Sequence, residues 1–318
     1  MCAERTTGLM KSRRLHVLGC LVLAVVCTAL PQSANRNDAV VLTLLSSTAQ
    51  PYQEAVQGFR DLLHRRDVPL LEYTHVVSRD PASTIRAVVA EKQPDLILAL
   101  GARATGFAAE YLNSVPVVYG VVFADEDEGA HATGVTLNIP AYVRLEGAKQ
   151  ILPDASRVGF ITSKGYEDER KEVSQACARL GLELIARQVD SQKDFADALS
   201  EISTRIDMFI MTADPALYIP QSVTFLLRKG LEEGFPVIGL SSSYTKAGAL
   251  LSFDCDYRDL GRQAAEIALL IVKGVKPSDV PAQAPERVNM SLNLSVADRL
   301  GIRIPNDIVA QAAQVFGR

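Results

Sequence analysis

The chain runs to 318 residues and carries 33 Lys and Arg against 37 Asp and Glu, a net charge of −4, with five cysteines and no tryptophan. So mild an acidity, without a run of Lys or Arg in its body, excludes nucleic acid as a partner, because phosphates call for a basic footprint. With 48% apolar residues, and at roughly 150 residues per domain, the chain has material for two cores.

The N-terminus reads as a signal peptide over residues 1–34. Lys11, Arg13 and Arg14 precede an apolar run over 15–30 broken by His16 and Thr28, and small or polar residues follow to Asn37. The run is shorter than the roughly 20 residues that cross a bilayer, so export to the periplasm is expected rather than a membrane anchor. Cleavage fits after Ala29 or Ala34, and Met10 offers an alternative start. Lipid anchoring is not expected, since Cys27 follows the bulky Val26 and Cys20 comes early in the run. The leader holds four cations (Arg5, Lys11, Arg13, Arg14) against Glu4, so the body carries −7 where the whole chain carries −4. Its cysteines, Cys177 and Cys255, are expected as two free thiols rather than one bridge, an alternative the sequence leaves open, and neither has the spacing of a metal site.

Beyond the leader, apolar strand runs alternate with helical spacing. A strand is predicted over 40–45, a helix over 51–66 (Tyr52, Val56, Phe59, Leu62, Leu63 on one face), a strand over 70–77, and a helix from an Asp80-Pro81 cap to Lys92. A strand over 95–100, a helix over 103–111 and a strand over 115–122 follow. The pattern then restarts: helix 140–151, strand 157–162, helix 166–180, strand 182–189, helix 193–203, strand 206–211, helix 219–232, strand 236–240. A hydroxyl-rich turn, a second strand from Gly248, and a helix capped by Asp256 and ended by Gly274 complete the most informative stretch. Such βαβ succession predicts an α/β protein of two Rossmann-like, doubly wound parallel-sheet halves, covered by helices on both faces.

Ligands of doubly wound sheets settle at the carboxyl ends of strands, where backbone amides and helix N-termini converge. In the first half those ends carry Ser46 and Ser47, then Gly101, Ala102, Arg103 and Thr105, then Tyr119 and Phe123. The second half supplies Ser163, Tyr166, Asp214, Ser241 and Tyr244, and Asp254 lies at the end of the last predicted strand. These residues line one cleft if the two carboxyl-end faces oppose each other. Ser46 and Ser47 suit either a ligand carboxylate or a helix cap. Asp214 suits a ligand ammonium or a cap, and Arg103 an anion or plain solvation. Tyr119, Phe123, Tyr166 and Tyr244 suit a planar ligand or, for Tyr119 above all, the core. His64, His75 and His131 are scattered, and the glycines 101 and 106 lack the Lys-Ser/Thr of a phosphate loop. No catalytic residue, metal or cofactor is expected.

Several longer stretches are familiar. PDLILALGARAT (94–105), VPVVYGVVFAD (115–125), the Gly134-Val135 step and ILPDASRVGFI (151–161) are four. GLSSSYTKAGALLSFDCDYRDLGRQAAEIALLIVKG (239–274) and LNLSVADRLGIRIPNDIVAQA (292–312) are two more. On these the chain resembles the uncharacterised-type ABC-transporter substrate-binding proteins, a branch of the periplasmic-binding-protein type I superfamily whose better-known members take up aromatic amino acids. The resemblance implies two lobes, 38–137 plus 252–274 and 138–251 plus 275–318, joined by three hinge crossings near 136–139, 251–254 and 277–285. It also implies ligand-induced closure, a small-molecule solute, and a membrane permease with its cytoplasmic ATPase, served by a monomer. The chain departs from the family pattern at Ala102-Arg103, at 124–126, at 163–167 and at Asp214-Pro215.

Three functional classes follow. The first is the periplasmic component of an ABC importer, in which a small polar, amino-acid-like solute bridges Ser46, Ser47 and 101–105 of one lobe with Ser163, Tyr166 and Asp214 of the other. The second is a ligand-sensing protein that reports to a membrane sensor or other uptake system. The third is a hydrolase built on Ser46 with His75, or on Asp254 with Asp256, but no nucleophile-elbow or metal-protease motif supports it.

Overall fold

The alternating runs fold into two separate sheets in the computed structural model, which describes residues 39–123 and 131–317. The leader over 1–34 and the departure at 124–126 lie outside the described residues. In chain order, the first set is β1 (Ala39–Leu45), α1 (Gln50–Arg65), β2 (Leu70–Val76), α2 (Ala82–Lys92), β3 (Leu96–Leu100), α3 (Ala102–Tyr111), β4 (Val117–Val122) and β5 (Ala132–Thr136). These strands pair in the order β2-β1-β3-β4-β5, all parallel. Then come α4 (Ala141–Ile151), β6 (Arg157–Ser163), α5 (Glu167–Leu180), β7 (Glu183–Val189), α6 (Phe195–Ile202), β8 (Met208–Ile210), α7 (Pro220–Glu233), β9 (Val237–Gly239), α8 (Ser242–Ala247) and β10 (Leu251–Cys255). Last are α9 (Tyr257–Val272), β11 (Val288–Asn293), α10 (Leu294–Arg299), α11 (Asn306–Gln311) and β12 (Gln314–Phe316). The second sheet has the order β12-β11-β10-β9-β8-β6-β7, parallel except where β10 meets β11.

The inner strands β1, β3, β4, β6, β8 and β9 are buried on both faces, which is why they read as unbroken apolar runs, whereas the edge strands β2, β7 and β12 are partly exposed. Successive side chains point to opposite faces, so Val41, Leu96, Leu98 and Leu100 meet α1 and α9 while Leu42, Leu44, Ile97 and Ala99 meet α2 and α3. The second sheet divides likewise, Phe160, Met208 and Ile210 facing α4 and α5, and Ile161, Phe209 and Val237 facing α6 and α7.

Although α9 follows a strand of the second sheet, it packs on the first. It lies against α1 so closely that a β-carbon at Gly261 would stand 1.8 Å from the Ala55 carbonyl oxygen, and one at Gly58 1.8 Å from that of Arg258. Asp256 caps this helix by accepting from Asp259 N, and Gly274 follows its end at φ +98°.

Several elements differ from expectation. Residues 242–247 form the helix α8 rather than a turn, because Ser241 is extended and the hydroxyl-rich segment satisfies a short helical turn. Asp80 does not cap α2. Its carboxylate accepts from Val76 N at the end of β2 and faces His75 Nδ1 at 3.0 Å, and Pro81 takes the cap position instead. Strand β5 is short and carries Thr133, Gly134 and Thr136, so it lacks the apolar run that marks the others.

Sheet membership also moves the crossings. Residues 252–255, expected with the first lobe, pair with β9 and β11 in the second sheet. Val280 is buried in the first core, and Gln283 bridges Val135 beside β5, so residues 280–283, expected with the second lobe, stay with the first sheet. The chain therefore passes between sheets near 137–140, 255–257 and 285–287.

Candidate ligand cleft between the lobes

The crossings bring the carboxyl ends of both sheets together. Cys255 ends β10, and its Sγ lies 3.6 Å from the carbonyl oxygen of Leu137, the residue after β5. Asp256 N donates to Arg287 O at 3.1 Å, tying the second crossing to the third. The buried Gln263 of α9 fixes the third crossing further, donating to Ala284 O and accepting from Glu286 N. Because β1 to β5 are parallel, and β6 to β10 likewise, every strand tip named in the sequence faces this junction. Tyr257 records the approach of the halves: burial pushes its hydroxyl up to about 12, with Cys255 and Asp254 on one side and Tyr52 and Glu54 of α1 on the other adding to it.

In the first lobe, Gly101 stands at φ +91° where β3 enters α3, and a β-carbon there would meet Ser46 Oγ at 2.6 Å and Tyr52 Cε1 at 2.7 Å. Only glycine allows both the left-handed backbone and this approach. Ser46 Oγ accepts from Ala104 N at 2.9 Å, holding the start of α3, and Ser47 Oγ accepts from Ala49 N at 3.2 Å. Thr105 is buried and returns its hydroxyl to Gly101 O at 3.1 Å. Ala102 and Arg103 are exposed at the helix entrance. Tyr119 sits in the core with its ring over Gly134, away from the strand end. Phe123, by contrast, is 57% exposed just beyond β4. Between them Val121 takes φ +58°, rare for a β-branched residue, where the pairing with β5 slips register.

In the second lobe, Asp214 is 1% exposed and its four acceptor positions are filled by its own chain. Oδ2 accepts from Ser163 N at 2.8 Å and Ser163 Oγ at 2.7 Å, and Oδ1 from Ala216 N at 3.0 Å and Leu217 N at 3.2 Å. The carboxylate expected to meet a ligand ammonium instead locks the end of β6 to the turn after β8. Asp254 is the half-buried carboxylate of this face. It accepts from Ser242 N at 2.7 Å, and burial raises its pKa above the ordinary aspartate value. Ser241 precedes α8, with Tyr244 inside it, and Tyr166 precedes α5; all three are half-buried. The residues of the hydrolytic pairs are bonded elsewhere: Ser46 Oγ accepts from Ala104 N, His75 Nδ1 faces Asp80, and Asp254 and Asp256 accept from Ser242 N and Asp259 N separately. Among the described residues no cluster of three or more His, Cys, Asp or Glu could hold a metal ion.

A family model for the ABC transporter substrate binding protein matches residues 41–316, nearly all of the described chain. The chain belongs to that family. A curated relative, the tyrosine-binding protein of Clostridioides difficile, is 22% identical over 181 residues, covering 56% of this chain and 52% of the relative. The chain thus spans about half the length of that relative. Among solved structures, the ligand-free, open structure of a substrate binding protein with adhesive properties from Clostridium difficile superposes at TM-score 0.69, 17% identical over 88% of this chain and 100% of the other. The ABC domain in complex with L-Trp from Streptococcus pneumonia gives TM-score 0.56 and 20% identity, again over 88% and 100%. The fold of two parallel-sheet lobes is thus that of substrate-binding proteins, and solute binding is the role of the family.

Sequence reading missed Arg144, Tyr218, Tyr52 and Tyr257. Tyr52 and Tyr257 stand at the first turns of helices that follow strand tips, a signal present in the sequence. Arg144 and Tyr218 lie further along and are brought in only by packing: Tyr218 donates to Ile161 O at 2.8 Å, and Arg144 Nη1 donates to Met211 O at 2.7 Å.

Proposed function

We propose that this substrate-binding protein captures a small amino-acid-like solute between its two lobes and presents it, without chemical change, to an ABC permease and its ATPase. The observation that carries the reading is the junction itself, where two sets of strand carboxyl ends meet across three backbone crossings. Ser46, Ser47, the 101–103 turn and Phe123 form one wall, and Ser163, Tyr166, Ser241, Tyr244 and Asp254 form the other. Ser47 and Ser241 offer hydroxyls, Asp254 a carboxylate for an ammonium, and Phe123 with the tyrosines flat apolar surface. The lobes, 39–137 with 257–285 and 140–255 with 287–317, rock about the crossings, and the solute favours the closed form through contacts the open form lacks. Export by the leader places a monomer in the periplasm. The name of the tyrosine-binding relative supports an aromatic amino acid as first probe.

Calorimetric titration with the twenty common L-amino acids tests this, together with Ser47→Ala and Asp254→Ala variants. Saturable binding by at least one amino acid, weakened tenfold or more by either substitution, is expected. Binding unchanged in both variants rejects the site.

A further inference from the structure

The second lobe contains a buried cation that no carboxylate of its own fold bonds. Arg144 is one turn into α4, the helix that begins as soon as the chain leaves β5 and the first crossing, so this end of α4 lies on the cleft side of the lobe. The side chain is 8% exposed. Nη1 donates to Met211 O at the carboxyl end of β8, while the buried Nε has no hydrogen-bond partner. No acidic residue stands in the first turn of α4, whose N-terminus is met instead by the Glu172 carboxylate of α5. Neither nearby carboxylate bonds the guanidinium, although Glu172 lies close enough to favour its charge. Glu172 accepts from Ala141 N, and Asp214, which lies beside Tyr218, is filled by Ser163, Ala216 and Leu217. Burial pulls the guanidinium down to about 10, so it remains charged at neutral pH.

A buried guanidinium that no carboxylate bonds and whose Nε has no partner is costly even with Glu172 nearby. A group kept there against stability is explained by an anion that arrives with the ligand. We propose that Arg144 anchors a carboxylate of the solute from beneath the second-lobe wall of the cleft. This rests on the solute-binding reading and deepens it: the cargo is an organic acid or amino acid, and an amine lacking the carboxylate is rejected. The planar fork suits two parallel hydrogen bonds to a carboxylate, which a lysine ammonium does not reproduce.

The test uses the full mature chain and Arg144→Met and Arg144→Lys variants. Probes are L-tyrosine, L-phenylalanine and L-tryptophan, their decarboxylated amines, and benzoate. Thermal melting without ligand is measured first. Arg144→Met is expected to melt within 5 °C of the wild type, since it removes a buried, unpartnered Nε together with the single bond to Met211 O. A fall of more than 5 °C overturns the proposal and makes the residue a structural tie to Met211. Next, carboxylated probes are expected to lose at least thirtyfold in affinity in Arg144→Met and at least tenfold in Arg144→Lys, and the amines to bind neither protein. Equal affinity of an amino acid and its amine for the wild type, or an unchanged affinity in Arg144→Met, also overturns it. Binding of benzoate but of no amino acid supports Arg144 while defeating the amino-acid reading, so the two fail separately. If no probe binds, the melting result alone decides.

Discussion

Replacing Asp214 separates a residue that builds the cleft from one that touches the ligand. Its carboxylate accepts four hydrogen bonds at 2.7–3.2 Å while 1% exposed. Bonds to a charged acceptor contribute about 1.5–3 kcal/mol each in isolation, and they do not sum. Asp214→Asn keeps one oxygen for Ala216 and Leu217 but turns an NH2 toward the Ser163 N–H, so two donors face each other; a loss of about 2 kcal/mol is expected. Asp214→Ala strands all four donors, and about 4 kcal/mol is expected. At roughly 2–4 °C per kcal/mol for a chain of this size, the melting temperature should fall by about 4–8 °C and 8–16 °C respectively. Differential scanning calorimetry of the ligand-free protein measures this directly. A variant melting within 1 °C of wild type while losing amino-acid affinity a hundredfold would refute the reasoning and return Asp214 to the ligand.

Gly261→Ala sets two effects against each other. Alanine gains about 1 kcal/mol of helix propensity, but its methyl meets the Ala55 carbonyl at 1.8 Å, and overpacking of that kind costs about 1–3 kcal/mol or more; net destabilisation by urea unfolding is expected, and a stabilised variant would contradict the close α1–α9 contact. For Asp254, burial raises the folded pKa above that of the unfolded chain, so the fold binds the proton more tightly and loses stability as pH rises from the ordinary aspartate value through the folded one. Asp254→Asn should therefore stabilise the ligand-free protein at pH 7 and give no gain at pH 3, as melts across that range will show; a pH-independent difference would point elsewhere. Cys177 and Cys255 are unpaired and buried, with burial raising their thiols to about 11 and about 12. Both should resist a thiol reagent in native mature protein at pH 7.5 and react promptly in denaturant, and rapid native labelling of either would contradict its burial.

Most of the architecture was legible because parallel strands buried on two faces must be continuously apolar, and runs such as residues 96–100 permit little else. What escaped were elements lacking that signal: β5, with two threonines and a glycine among five residues, α8, whose Ser-Ser-Tyr-Thr opening reads as a turn, and the short tail elements α10, α11 and β12. The strand tips could be placed on the cleft side, since alternation fixes the direction of every strand. Their individual duties could not. Thr105, Tyr119 and Asp214 sit at or near those tips, yet their side chains turn to their own fold.

The amino-acid order by itself determined that there are two doubly wound halves, where their loops gather, and that Asp256 starts the helix that Gly274 ends, because these depend on spacing along one strand or helix; the return of that helix to the first lobe was implied by the family resemblance. Only the tertiary structure decided that 252–255 belongs to the second sheet, that Asp214 is spent on Ser163, Ala216 and Leu217, and that Arg144 lies under β8 with Nε unpartnered. The decisive meetings span long stretches of chain, 51 positions from Ser163 to Asp214 and 67 from Arg144 to Met211, and local pattern carries no record of them.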